Sequence, residues 1–395
     1  MLTAKNAKDW FTDRVGADPI ADWVDANNKR SSLAAGDVIL STRGTVGMCA
    51  LVTEEILPAN IDQDVARISW TDRALFLPEF VVAYLNSTFG QDHITRHASG
   101  MVQQGMSLQK VRDIPLPVFS PEMQKAIAQT IQASLKLRRG AVKKREEAEQ
   151  ILLRALGLQN WQPPEPLTYI RRASDAFAAA RLDAEYFAPK VVELLQKLGE
   201  AGLSIGAVTS TRNERFSPGK DGEFNYIEIG NVRSDGTVGA ERLPQNEAPS
   251  RATQYVRAGD IITSSVRPIR RLSAIITPEQ DGFVCSSGFV VLRTRDVPAE
   301  VLLTYLRLPP LCELMDLHTS ASLYPAISEA DLLALPFHPI AEDVEYEIIN
   351  AIQSAHEARR QAHTLLEAAK RAVEIAIEEC EAAALAYLKE NSELS

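Results

Sequence analysis

Residues 316–337 read DLHTSASLYPAISEADLLALPF, and residues 95–116 read TRHASGMVQQGMSLQKVRDIPL. At a constant offset of 221 positions, His97 falls on His318, Ser99 on Ser320, Asp113 on Ala334 and Pro115 on Pro336, with no gap. One chain therefore uses twice a polar loop and an exit that ends in an apolar residue and proline, Ile114-Pro115 and Leu335-Pro336. A self-match over this distance points to a repeated unit of roughly half the chain.

The match extends on both sides of these loops. GDVILSTRG at 36–44 faces GDIITSSVR at 259–267, each a Gly-Asp turn opening a β-branched strand. PEFVVAYL at 78–85 faces AEVLLTYL at 299–306, an amphipathic helix ending in Tyr-Leu. Beyond the loops, two long helical patterns begin near residues 121 and 341. The unit is a mixed helix and sheet globule followed by a long helix.

The second helix carries the clearest periodicity. Ala355, Ala362, Ala369, Ala376 and Ala383 recur every seven residues, preceded at three positions by Ile352, Arg359, Leu366, Val373 and Cys380. This is a heptad seam, and a row of alanines allows a neighbouring helix to approach closely. The first helix has a poorer stripe, from Ile127, Ile131 and Leu135 to Ile151 and Leu152, interrupted by Gly140 and a basic run. Its basic excess complements the acidic excess of the second helix, so the two are expected to pair, unless a helix from another subunit fills the seam. At ~1.5 Å per residue the shorter helix separates two globules by roughly 50 Å at most. Between the copies, GLQNWQPPEPLTYI at 157–170 ends the first helix and makes a stiff linker.

Composition narrows the function. The chain has 395 residues, 45% of them hydrophobic and 24% charged, enough for two or three domains. No apolar run reaches the ~20 residues that span a bilayer, and the start MLTAKNAKDW lacks the apolar core of a signal peptide, so a cytoplasmic protein with no membrane partner is expected. Cys49, Cys285, Cys312 and Cys380 are far apart and suggest neither zinc nor disulfides. The net charge of −10 disfavours phosphate binding, but it is unevenly spread: 121–157 carries eight Lys and Arg against four Glu, and 341–395 five against twelve acids. Any contact with DNA must be local or helped by a partner.

Catalytic signatures are missing. The sequence has no phosphate loop, GxGxxG, HExxH or GxSxG, and QPPEP at 162–166 lacks the flanks of a nucleotide-methylation motif. His97 and His318 have no carboxylate or nucleophile repeated alongside them, so they are read as loop-ordering or phosphate-contacting residues. The repeated loops offer hydrogen-bonding side chains without reactivity. The first copy presents Thr42, Arg43, Gln63, Ser99, Gln103 and Gln104, and the second presents Ser265, Arg267, Arg270, Arg271, Ser287, Ser320, Ser322 and Tyr324. Arg and Gln can read purine edges bidentately, whereas hydroxyls hold phosphates. These loops differ between copies where the framework matches, as a reader of two different half-sites requires.

With RLDAEYFAP at 181–189, GDIITSSV at 259–266, TSASLYPAISEADLLALPF at 319–337 and a long helix after each globule, the chain resembles the specificity subunits of type I restriction-modification enzymes. The resemblance runs from about residue 30 to the end. It implies an α+β fold with two repeated target-recognition globules, whose long helices pair as an antiparallel coiled coil. The corresponding division is a first target-recognition domain at 1–120, a spacer helix at 121–157, a Pro-rich linker at 158–180, a second recognition domain at 181–340 and a second spacer helix at 341–391. Such a chain is non-catalytic: it reads the two halves of a bipartite site on double-stranded DNA and docks methyltransferase and restriction subunits. No cofactor is expected on this chain, and S-adenosylmethionine, ATP and Mg belong to the partner subunits. The first copy departs from the pattern. Only 35 residues precede its Gly-Asp turn, against 78 from Arg181 to Ala258, and nothing matches RLDAEYF, which leaves two readings: a chain that starts late at a misassigned initiator, or a first domain that is reduced. The rival expectation is a protein-binding coiled-coil scaffold with two recognition globules and no DNA role.

Overall fold

The computed structural model describes residues 1–393 except 8, 15, 71–74, 99–104, 234 and 321–324. The chain is a mixed helix and sheet protein with two helices of 35 and 37 residues, Pro121–Ala155 and Glu342–Glu378. It divides into two compact units, Met1–Ala141 with Glu357–Ser395, and Val142–His356. The division falls inside both long helices.

In the first unit, strand Val38–Ser41 lies between Cys49–Leu51 and Val65–Ile68, antiparallel to both. All four residues of the central strand are buried, because each face has its own core. Val38 and Leu40 pack with Phe80, Leu85, Met123 and Ile127, whereas Ile39 packs with Leu2, Val52 and Ile56. Alternation of side chains across a strand separates the two cores, so a doubly buried strand reads as an unbroken apolar run.

The second unit applies the same rule. Strand Ile261–Ser264 lies between Ser273–Ile275 and Phe289–Thr294, and Thr209–Thr211 completes an antiparallel sheet. Ile261 packs with Leu302, Tyr305 and Phe337, and Ile262 with Val256, Ala274 and Val291. A second four-stranded sheet, in the order Glu241–Pro244, Glu223–Ile227, Val284–Ser286 and Ala252–Tyr255, contains one parallel pair, Val284–Ser286 with Glu223–Ile227. Three of its strands, and the amphipathic helix Pro189–Gly199, lie in the long stretch before the second Gly-Asp turn.

The two Gly-Asp turns carry matching hydrogen bonds. Gly36 and Gly259 have φ of 82° and 84°, a region that disfavours residues with a Cβ. Gly36 N donates to Val52 O and Gly259 N to Ile276 O, both at 2.9 Å. Val52 N and Ile276 N return bonds of 2.8 Å to Asp37 O and Asp260 O. Each buried carboxylate then accepts a backbone N–H three residues upstream, Ala34 N at 2.9 Å for Asp37 and Arg257 N at 2.8 Å for Asp260. Downstream of the polar loops, Ser107 and Ser328 cap matching short helices by accepting from Lys110 N and Asp331 N.

The heptad seam is buried for three repeats and then turns outward. Ala355, Ala362 and Ala369 are fully buried, with Ile352, Leu366 and Val373 beside them. Ala376 and Ala383 are only half-buried, and Cys380 is exposed at the break between Glu342–Glu378 and a further helix, Glu381–Glu393. A strict seven-residue repeat drifts around a 3.6-residue helix, and the break ends the register. Within the first unit, Ser134 is completely buried and donates its hydroxyl to Ala362 O at 2.8 Å. Glu381 accepts from Ser120 N at 3.0 Å, ahead of the first long helix, and Glu374 accepts from Thr88 N at 2.9 Å and Thr88 Oγ1 at 2.6 Å. The acidic tail thus supplies capping carboxylates at two helix starts. In the basic run, Arg138 pairs with Asp9, Arg139 with Glu55 and Lys144 with Glu147.

The segment 158–180 is held at one end by Trp161 Nε1, which donates to Glu193 Oε1 at 2.8 Å, and contains the short helix Ala173–Ala179, none of whose residues is buried. No helix among the described residues is long and apolar enough to cross a membrane.

Candidate nucleic-acid interface

In the second unit the strand Ile261–Ser264 runs from the Gly-Asp turn to the loop 265–271, so its two ends present different chemistry. The Gly-Asp end is electrostatically closed. Arg212 holds Asp260 through two bonds, that from Nη2 at 2.9 Å, and Arg257 pairs with Glu214 and lies 3.5 Å from Asp281. The bond to Asp260 is the main cause that raises the Arg212 pKa.

The other end gathers several of the sequence candidates. Ser265 donates both its N–H and its hydroxyl to Gly288 O, at 2.9 and 3.0 Å, and its own carbonyl accepts from Ile327 N at 3.0 Å. Arg267 N donates to Pro325 O at 2.8 Å, and Val266 bridges to Ala326, which pairs in turn with Ser320. Ser287 N donates to Arg251 O at 2.8 Å. One surface thus carries Arg251, Arg267, Arg270, Ser287 and Ser320, all exposed, with Ser265 half-buried behind them. Arg251 has no counterpart in the repeat and could not be singled out from the sequence; only its fold neighbour Ser287 places it there. Between the cations lies Ile269, which is 52% exposed.

RLDAEYF fastens the base of this surface. Arg181 makes a fork to Asp183, at 2.8 and 2.7 Å, donates to Leu317 O at 2.8 Å and lies 4.4 Å from the centre of the Tyr186 ring. Tyr186 meets the His318 imidazole edge-on at 5.7 Å. Burial pushes the His318 pKa down, and the Arg181 cation adds to this, against the opposing charges of Asp331 and Asp183.

Two candidates are engaged inside the protein. Thr42 is 5% exposed, and both its N–H and hydroxyl donate to Asp64 O, at 2.7 and 3.1 Å. Arg271 donates from Nε to Arg307 O at 2.6 Å and pairs through Nη2 with Glu149. In the first unit Arg43 remains exposed, 3.5 Å from Asp64, and bridges through its backbone to Gly105; Gln63 is exposed beside Asp64. His97 stacks on His93 at 4.3 Å, and Lys110 Nζ donates to His97 O at 2.7 Å. The carbonyls one residue apart in the repeat, Leu317 and His97, are therefore both gripped by a cation, from RLDAEYF in one unit and from within the copy in the other. Ser99, Gln103, Gln104, Ser322 and Tyr324 lie outside the described residues.

Among the described residues, no group of His, Cys, Asp and Glu could hold a metal. Burial raises the thiols of Cys49, Cys285 and Cys312, the last two to about 12, which leaves them inert as nucleophiles. The surface offers cations, hydroxyls and one apolar side chain, a set suited to holding a polyanion and touching base edges.

No protein-family model matches the chain, and no curated protein does. Among solved structures, the HsdS subunit from Thermoanaerobacter tengcongensis is 17% identical, aligned over 92% of this chain and 82% of its own, at a TM-score of 0.28. The S subunit of a type I restriction-modification system from M. genitalium is 12% identical over 91% and 84%, at 0.33. A third, from work on complex assembly and conformational transition of the type I R-M system, is 18% identical over 91% and 82%, at 0.29. The chain is thus similar, over about nine tenths of its length, to solved type I restriction-modification S subunits.

Proposed function

We propose that this chain is the non-catalytic DNA-specificity subunit of a type I restriction-modification system, acting in the cytoplasm. Each globule reads one half of a bipartite duplex site, and the long helices set the distance between the halves. The observation that carries this reading is the distribution of charge about the strand Ile261–Ser264. Its Gly-Asp end is closed by the ion pairs of Arg212 with Asp260 and of Arg257 with Glu214, and its other end presents the exposed Arg251, Arg267 and Arg270 beside hydroxyls. On a chain with net charge −10, this group of exposed arginines supports a phosphate contact at this end of the strand.

The readers in this account are Ser265, Arg267, Arg270, Ser287 and Ser320 in the second unit, and Arg43 and Gln63 in the first. Ser99, Gln103, Gln104, Ser322 and Tyr324 join them on the sequence pattern alone. Antiparallel pairing of the long helices is supported by two contacts in the first unit: Ser134 of the first meets Ala362 of the second, and Ser120, just ahead of the first, meets Glu381, just beyond the second, so partner numbers fall as chain numbers rise. The matched Gly-Asp turns support a repeated globule.

Methylation and cleavage belong in this account to modification and restriction subunits that carry S-adenosylmethionine, ATP and Mg. Leu167, Ile170, Phe177 and Leu182, all largely exposed, are the apolar side chains this account offers to them. Selection of the full chain, co-expressed with its modification subunit, on a pool of random duplexes tests the proposal. The expected product is two short conserved blocks separated by a fixed gap of free sequence. Enrichment of one contiguous block, or of none, overturns it.

A further inference from the structure

The exposed turn Pro268–Arg270 is bounded by two non-glycine residues in the left-handed region, Arg267 at φ 50° and Arg271 at φ 59°. Side chains with a Cβ disfavour this region, so the surroundings must hold the turn in place. Pro268 is buried and anchors its base, while Ile269 and Arg270 point outward. Beside the bond from Arg267 N to Pro325 O, a reciprocal clamp restrains the turn. Arg271 Nε donates to Arg307 O at 2.6 Å, and Arg307 Nη1 returns bonds of 3.0 Å to Arg271 O and Ser273 O. Arg307 is buried, and burial together with the Arg271 guanidinium pushes its pKa down. Two arginines at this distance need a counter-charge, and Glu149 of the long helix Pro121–Ala155 pairs with Arg271 and opposes the effect on Arg307. Glu149 is itself mostly buried, with 18% of its side chain exposed.

We propose that Glu149 and Arg271 are a positioning pair: they touch no DNA, and they lock the Arg267–Arg270 turn in its reading conformation against the long helix. This rests on the DNA-reading function proposed above. The pair makes base reading at this turn depend on a residue of the spacer helix, 122 positions away in sequence.

Glu149→Gln separates positioning from charge, because the two predict opposite signs. Removal of an anion from a DNA-binding protein should by electrostatics alone tighten binding to every duplex. Loss of positioning should instead weaken binding to the selected site, by roughly tenfold, and leave scrambled duplex unchanged. The full chain with its modification subunit is titrated against both duplexes at several salt concentrations. Arg271→Met is expected to lose the same preference with an unchanged salt slope, whereas Arg270→Ala should lower that slope by about 0.9, the value for one phosphate contact. A Glu149→Gln variant that binds both duplexes as tightly as wild type or tighter overturns the proposal, as does a reduced slope for Arg271→Met. Should Glu149→Gln fail to fold, Glu149→Asp decides by the same comparison, with preference at the wild-type level refuting the pair. Absence of any site preference in wild type refutes the DNA-reading function itself.

Discussion

Asp260→Ala removes the carboxylate at the centre of the second Gly-Asp turn, and its cost can be worked from three bonds. Asp260 is 2% exposed; it accepts from Arg257 N at 2.8 Å and from Arg212 Nη2 at 2.9 Å, with a further bond from Arg212 Nε. Removing one partner of a buried ion pair costs about 3–5 kcal/mol, because the other charge is left without compensation. Arg212 keeps 15% of its side chain in solvent and has Glu214 at 3.6 Å, which takes up part of the freed charge and sets the expected cost near the lower end, about 3 kcal/mol. For a unit of this size, that corresponds to a fall of roughly 6–12 °C in Tm. Thermal unfolding of the full chain measures the shift. The double variant with Arg212→Met tests its origin, because removing both charges should cost less than the sum of the single losses by at least about 1 kcal/mol. A shift below about 2 °C for Asp260→Ala, or strict additivity in the cycle, would refute the reasoning.

Ala369→Leu forces a larger side chain into a fully buried position of the helix seam and should cost about 1–3 kcal/mol, whereas Ala383→Leu on the half-buried end should stay within about 0.5 kcal/mol; urea denaturation of both variants checks the contrast. Glu374→Ala removes the acceptor of Thr88 N and Oγ1 and should cost about 2 kcal/mol, less than two full charged bonds because water can reach Thr88, and chemical denaturation again reads it. His318 should titrate below its ordinary 6.5 in the folded chain, so its contribution to stability is complete above that value and is lost as pH falls through the lowered one. An imidazole NMR titration with a midpoint at or above 6.5 would contradict the burial argument.

The elements that open each globule were legible because their signals are local. The Gly-Asp turns, the doubly buried strands that follow them and the Tyr-Leu helices each announce themselves within about ten residues, through a backbone conformation or a burial period. The alanine seam was legible for the same reason, up to the drift that exposes Cys380. The second sheet of the later unit leaves no such signature, because its strands are short and partly exposed, as at Glu241–Pro244, and lack a strong alternation. The site was legible in outline only. A sequence shows that Thr42, Arg267, Arg270 and Arg271 are polar residues after a strand, but whether each faces solvent is decided by distant partners. Asp64 O takes up Thr42, and Glu149 with Arg307 takes up Arg271, whereas Arg270 is left exposed. The role of RLDAEYF was hidden in the same way, since Arg181 acts on Leu317, 136 residues later.

The central claim is that this chain supplies sequence choice and leaves the chemistry to others. A genome-wide map of methylated adenine in the source cell, with and without the gene, tests it most directly. The account predicts that one split motif, two short blocks with a fixed gap, loses its methylation when the gene is removed while the modification subunit is still expressed. An unchanged map with that subunit present would contradict it.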